Sequence, residues 1–394
     1  MSGPTTLILG GGWGGLTAAH HLRGLLSPEH RIVVVERNDT FGLGVSNLWL
    51  MTGEREGLDQ VRRDMHMLKS QGIEWVHAEA SSFDPETRAV DTAAGRLAGD
   101  YVVLALGAET APEAVPGFSE AAFNLYEAEA ALELHAALER FEGGKIVVLV
   151  AGAPFRCPAA PYEAGMLIEA MIRNRGVRDQ IELSLYTPEP HPMLVAGPAV
   201  GEALESMLRD RGIVYHPQRT LTSVDPESRT IHFEEGTVPC DLLVGIPPHQ
   251  APTLMAEAGL IDDSGYVPVH PQTLEILSDP ETLEVQYPGV FAIGDMTAVR
   301  LLNSMLLPKA GVFAEAQAQV VAASIAAKIQ GEPRPHGYDG YGFCYVEVGD
   351  GLAANGSGDF YAYPGPRVTL ETPSASARRA KEEYEQVLDT WFRV

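Results

Sequence analysis

Three cysteines are all that this chain of 394 residues contains. So few exclude a disulfide-stapled scaffold, which needs several bridges to replace a hydrophobic core. Positive charge is also scarce: 28 Lys and Arg stand against 53 Asp and Glu, a formal net charge of −25. Nucleic-acid binding draws its affinity from cationic neutralisation of phosphate, so that class is excluded. Long-range attraction to an anionic lipid surface is excluded on the same ground. No charge-free apolar run reaches the ~18 residues of a spanning helix. Leu242 to Ala256 comes nearest, and it holds three prolines and a histidine. The start of the chain has no basic region ahead of an apolar one, so no signal peptide is expected and the cytoplasm or the membrane periphery is the expected location. C-x-x-C and H-E-x-x-H spacings are missing, and adjacent His20 and His21 face different sides of a helix, so no metal site is expected. At about 150 residues per domain the length predicts two to three domains.

What is present reads as an α/β chain. Thr6 to Leu9 is a short apolar strand, Gly10 to Gly15 a glycine turn, and Leu16 to Leu26 a helix. Arg31 to Val35 follows as a β-branched strand, the pattern of a parallel sheet covered on both faces. Tyr101 to Leu106 is another buried strand. The pattern restarts with strands at Lys145–Val150, Ile181–Tyr186 and Asp241–Gly245. Two Rossmann-like dinucleotide-binding domains plus a smaller C-terminal α+β domain are therefore expected. The expected boundaries are 1–110 with 285–330, then 111–284, then 331–394. Seven aromatic residues crowd the stretch from Tyr338 to Tyr363, which gives the last domain a use for rings.

Gly10, Gly12 and Gly15 satisfy G-x-G-x-x-G, with Trp13 and Gly14 inside the motif and Glu36 closing the next strand ahead of Arg37. The glycines permit a tight turn and close approach of main-chain N–H groups to a pyrophosphate, whose charge the helix N-terminus favours. Glu36 can accept from ribose hydroxyls and repels a 2′-phosphate. The corresponding turn of the second unit, Ala151 to Pro158, keeps one glycine and has two prolines, which cannot donate. The strand after it ends at Thr187, where an acid for ribose is expected. Tight NAD binding is not expected there. A thiol, Cys157, occupies this altered turn instead. Lys309 precedes a long helix, Ala310 to Ile329, whose N-terminus suits an anionic cofactor. Cys240, at a strand entrance, reads as structural.

Several segments carry a resemblance. Leu104 to Ala108, with Ala105 and Gly107, and Gly289 to Asp295, with Gly294 and Asp295, resemble the paired FAD signatures of the two-dinucleotide-domain flavoprotein superfamily. Arg156-Cys157-Pro158-Ala159-Ala160-Pro161-Tyr162-Glu163 resembles the R-C-P-x-x-P-Y-E element of flavocytochrome c sulfide dehydrogenase flavoproteins and of sulfide:quinone oxidoreductases. Ile246 to His249, Pro308 to Gly311 and Cys344-Tyr345 extend the likeness over nearly the whole chain. It implies that Cys157 and Cys344 form a redox-active pair beside FAD, with Glu163 close by, and that Asp295 contacts the ribitol and diphosphate. Sulfide or a related sulfur nucleophile is the implied substrate. A quinone is the expected acceptor; cytochrome c and an NADH:quinone reaction are alternatives, as is a flavin-binding subunit without catalysis. Some relatives attach FAD through a cysteine near Leu43–Asn47 or between Thr110 and Gly144; this chain has none in either stretch, so non-covalent FAD is expected. From Ala377 to Phe392, apolar residues including Tyr384, Val387, Leu388 and Trp391 recur at helical spacing. They offer either a peripheral membrane contact or a face for docking on the protein's own core. Arg378, Lys381 and several acids form the opposite, polar face. Homo-oligomerisation stays open.

Overall fold

Two five-stranded parallel sheets carry the chain. The computed structural model describes residues 3–392, and the side chain of Leu388 lies outside the described residues. In the first sheet the spatial order is Val290–Ala292, Tyr101–Leu104, Thr5–Leu9, Arg31–Glu36 and Glu74–His77. Thr5 pairs with Arg31 and Leu9 with Val35, so the glycine turn and Glu36 emerge at the same carboxyl edge. Ile32 to Val35 are all buried, the consequence of covering both faces of the sheet. Helix Trp13–Leu25 starts three residues before the expected Leu16, because Leu16 N–H already bonds the Gly12 carbonyl. Trp13 to Gly15 are thereby the helix's first turn, with their N–H groups free of intrahelical partners.

The second sheet runs Ala122–Asn124, Leu242–Ile246, Gly144–Val150, Ile181–Tyr186 and Val214–His216, again all parallel. The expected doubling of the Rossmann pattern is therefore met in the backbone. One boundary differs. Met255, Leu260, Val267 and Ile276 are buried in the first domain's core, so the chain returns to that domain soon after residue 250 rather than at 285. The apolar side chains of this return segment find their cover beneath the first sheet, and periodicity within a short connection cannot show which core it joins.

Helix Gly311–Gln330 is long and apolar enough to cross a membrane by length and composition alone. It instead packs along helix Trp13–Leu25, with Ala318, Val321, Ala322 and Ile325 buried in the first core. Strands Tyr341–Gly349, Leu352–Asp359 and Arg367–Leu370 form an antiparallel sheet laid against helix Ala160–Asn174. Helix Ala375–Trp391 closes the chain. Its row of Tyr384, Val387 and Trp391 packs on the first core, and Phe392 is buried there. The exposed row is Arg379, Glu383, Gln386 and Thr390. Among the described residues, the apolar stripe is thus turned onto the protein's own core.

Candidate active site

The altered turn of the second domain builds the site. Cys157 has φ +51°, the left-handed region that a side chain enters at a cost of about 1–2 kcal/mol. Its N–H donates to the Lys309 carbonyl at 2.6 Å, and its carbonyl accepts from Ala160 N–H at 2.9 Å as helix Ala160–Asn174 begins. Two domains therefore fix this one residue. The thiol occupies the place where a pyrophosphate would meet a helix N-terminus in an intact motif.

Strand Tyr341–Gly349 supplies Cys344, and both cysteines are free thiols lining one cavity of about 600 Å³. The cavity lies between the second domain and the C-terminal sheet, with Met193, Leu306, Phe343, Phe360 and Leu370 among its apolar walls. Burial pushes both thiols up to about 12, reinforced in each case by the nearby Glu163 carboxyl. The Lys381 ammonium partly opposes both shifts. Arg156, the cation next to Cys157 in sequence, is engaged elsewhere. The Arg156 guanidinium lies 4.8 Å from the centre of the Tyr126 ring and donates to the Tyr126 carbonyl at 3.3 Å. In reduced protein, alkylation of these two thiols should therefore still accelerate above pH 10, where a free thiol with a pKa of about 8.5 has levelled off. A rate that saturates near pH 9 in mass-resolved labelling would contradict the burial argument.

Glu163 lies on the first turn of helix Ala160–Asn174 and is fully enclosed. Its Oε1 accepts from Lys381 Nζ at 2.6 Å and from Glu347 N–H at 2.8 Å. Burial raises its carboxyl, Lys381 opposes the rise, and Glu347 adds to it. Lys381 is a site residue that sequence reasoning placed on a solvated helix face. No local signal marks it, since its partners come from distant segments.

Around the glycine turn the expected residues converge. A Cβ on Gly15 would lie 1.9 Å from the Gly10 carbonyl oxygen, so only glycine permits this packing of turn on helix. Glu36 Oε2 accepts from Gly11 N–H at 2.7 Å, and Oε1 accepts from Asn38. Arg37 instead forms an exposed ion pair with Glu79. Trp13 gives its indole to the C-terminal helix: it packs 4.5 Å from Trp391, centre to centre, and Nε1 donates to Glu315. Only the Trp13 main chain is left for a ligand.

Lys309 is buried, not a surface lysine. Nζ donates to the carbonyls of Asp295 at 2.6 Å and Thr297 at 3.3 Å, and lies 3.4 Å from the centre of the Tyr266 ring. Burial draws its pKa down to about 8, with Asp295 opposing the fall. Asp295 Oδ1 and His249 Nε2 are buried and have no partner. His249 Nδ1 lies 2.9 Å from the Pro247 carbonyl, which places the proton there and leaves Nε2 an acceptor. Burial, then Arg156, lowers this imidazole to about 4 and keeps it neutral. A Cβ at Gly12, Gly44 or Gly107 would meet nothing within 4 Å. Open glycine faces along the first domain and two unfilled acceptors fit a dinucleotide cofactor with ribityl and imide donors. Ala105 and Gly294 border the same carboxyl edge, as Ala105 N–H bonds Leu9 and Gly294 N–H bonds Gln317.

In the second domain, the position where an acid would meet a ribose is held by Thr187. Thr187 is buried, its hydroxyl takes Glu189 N–H at 3.2 Å, and the Glu189 carboxylate accepts from Tyr162 at 3.2 Å. Cys240 is buried in a separate cluster with Val147 and Leu149, apart from the site.

A family model described as pyridine nucleotide-disulphide oxidoreductase matches residues 4–323. A mitochondrial sulfide:quinone oxidoreductase from Mus musculus is 24% identical over 373 residues, which is 91% of this chain and 78% of the relative. An alternative NAD(P)H-ubiquinone oxidoreductase from Arabidopsis thaliana is 26% identical over 84% of this chain and 68% of its own. The crystal structure of the Aquifex aeolicus sulfide:quinone oxidoreductase superposes with a TM-score of 0.86 at 23% identity, covering 99% of this chain and 91% of that one.

Proposed function

Because this chain belongs to the pyridine nucleotide-disulphide oxidoreductase family, we propose that it oxidises sulfide at Cys157 and Cys344 and passes the electrons through FAD to a quinone. The observation that carries the reading is the meeting of these two cysteines, distant in sequence, at one apolar cavity. Both the mouse relative and the Aquifex neighbour are named for the same chemistry.

In the oxidised form, HS⁻ attacks one sulfur of a Cys157–Cys344 disulfide. A new S–S bond forms to the incoming sulfur and the old one breaks, leaving a persulfide on one cysteine and a thiolate on the other. The sulfide sulfur is oxidised and the disulfide is reduced by the same electron pair. Because burial disfavours a thiolate here, the released thiolate is a high-energy species that must shed its charge. Glu163 takes the proton that the incoming sulfur brings. Gly10 to Gly15 and Glu36 would hold the dinucleotide portion of FAD without a covalent link, and Asp295, Lys309 and His249 its ribityl and ring end. When bound, FAD supplies the two-electron relay that empties the site. Leu302 and Tyr363 are the most exposed large apolar side chains, and Leu306 and Phe360 nearby in sequence line the cavity. An apolar wall favours a quinone over cytochrome c, whose docking would use the chain's acidic surface.

Adding sulfide anaerobically to the holoprotein should bleach the visible flavin bands, and NADH should not. Rapid bleaching by NADH with none by sulfide would replace this reading by an NADH:quinone one.

A further inference from the structure

The C-terminal helix Ala375–Trp391 carries one ammonium into the interior of the sulfur site. Lys381 is 3% exposed, and its Nζ bridges Glu163 Oε1 at 2.6 Å and Glu347 Oε1 at 2.9 Å. The bridge is itself framed: Glu347 accepts from Trp49 Nε1 at 2.8 Å and pairs with Arg378 Nε at 2.8 Å. Arg378 in turn reaches Glu54 and Glu382. Glu163 therefore faces Cys157 from its own turn, Cys344 and Glu347 from the strand, and Lys381 from the helix. Arg378 and Glu54 stand one step behind. Arg156, the cation next to Cys157 in sequence, is engaged with Tyr126. Lys381 is the cation that acts on both thiols.

An enclosed carboxyl without a counter-charge takes the neutral form, and a neutral carboxyl cannot accept a proton. We infer that Lys381 is a positioning residue of the sulfur site, delivered by the docked C-terminal helix to hold Glu163 as a carboxylate beside Cys157 and Cys344. This rests on the reading of those three residues as the sulfur-oxidising group. It makes the helix part of the active site. Undocking the helix removes the base from service while leaving both cysteines in place.

The sign of the pH effect follows. Lys381 opposes the rise that burial imposes on the Glu163 carboxyl, so Glu163 ionises at a lower pH with Lys381 than without it. Without it, burial and Glu347 raise the carboxyl unopposed, so Glu163 remains protonated to a higher pH. In the Lys381→Met holoenzyme the acid limb of sulfide-driven flavin bleaching should therefore move up by at least one pH unit, a tenfold slowing on the limb. Lys381→Arg should restore the limb, and Glu163→Gln should remove it whether or not Lys381 is also replaced. Infrared pH titration reads the same group without turnover: Lys381→Met should gain a protonated buried-carboxyl band that Glu163→Gln deletes. An equal slowing of Lys381→Met at every pH, with no new carboxyl band, would overturn the inference. If Lys381→Met yields no holoenzyme, the double variant Glu163→Gln/Lys381→Met is compared with Glu163→Gln. Equal rates support action through Glu163, and a further loss overturns it. Wild-type flavin that sulfide never bleaches would remove the sulfur reading, and the infrared titration would still decide whether Lys381 holds Glu163 ionised.

Discussion

Cys157→Ala and Cys344→Ala should each slow sulfide-driven flavin bleaching by about a thousandfold or more, with bound flavin and melting behaviour little changed. The size follows from the role: without a disulfide there is no electrophilic sulfur for HS⁻ to attack, and groups that act as a unit lose nearly everything when either one is removed. The double variant should be no slower than the singles. Cys240→Ala serves as the comparator, since Cys240 sits in its own buried cluster, and should stay within a few-fold of the parent. Rapid-mixing measurement of bleaching at saturating sulfide makes the test. Parental rates in either single variant would show the pair to be bystanders, and the flavin-binding subunit without catalysis would become the better reading.

Glu347→Ala should cost about 1–3 kcal/mol of stability, because it takes one acceptor from each of three buried donors in a dry site and leaves the Trp49 indole with none. Arg378 loses its nearest enclosed carboxylate and Trp49 Nε1 loses its acceptor. Lys381 keeps only Glu163. The C-terminal helix is held by this cluster together with Ser46–Glu385, Arg55–Glu385 and Arg63–Asp389 contacts. Its release should therefore precede global unfolding, exposing the connection before Ala375 to protease. Glu347→Gln should be milder, since an amide oxygen can still accept from Trp49. Denaturant melts combined with limited proteolysis read both variants, and a Glu347→Ala protein as stable and as resistant as the parent would refute the coupling of this cluster to helix docking.

Both experiments bear on what was legible in the chain. The glycine turn, Glu36 and the strand patterns could be read because each is a local requirement: a tight turn, a ribose acceptor, a two-faced sheet. Cys157 stood out because it sits where a glycine motif should be. The sequence also showed that Ala377, Tyr384, Val387 and Trp391 share one face of a helix, without showing what covers that face. Trp13 misled for a related reason. Its place inside the nucleotide motif suggested a ligand contact, whereas its ring anchors Trp391.

The sequence by itself determined the α/β class, the doubled parallel sheet, the dinucleotide turn and the replacement of the second turn by a thiol. These depend on residues within a few positions of one another, where steric and hydrogen-bonding rules act directly. Only the tertiary structure decided that Arg378, Lys381 and Glu385 are buried, because charged residues on a helix read as solvated until their counter-charges are located. Those counter-charges are Glu163 and Glu347 for the two cations, on a helix and a strand far away in the chain, and Arg55 for Glu385. A charge can be enclosed only when its partner is brought to it, and that pairing is a property of the folded chain.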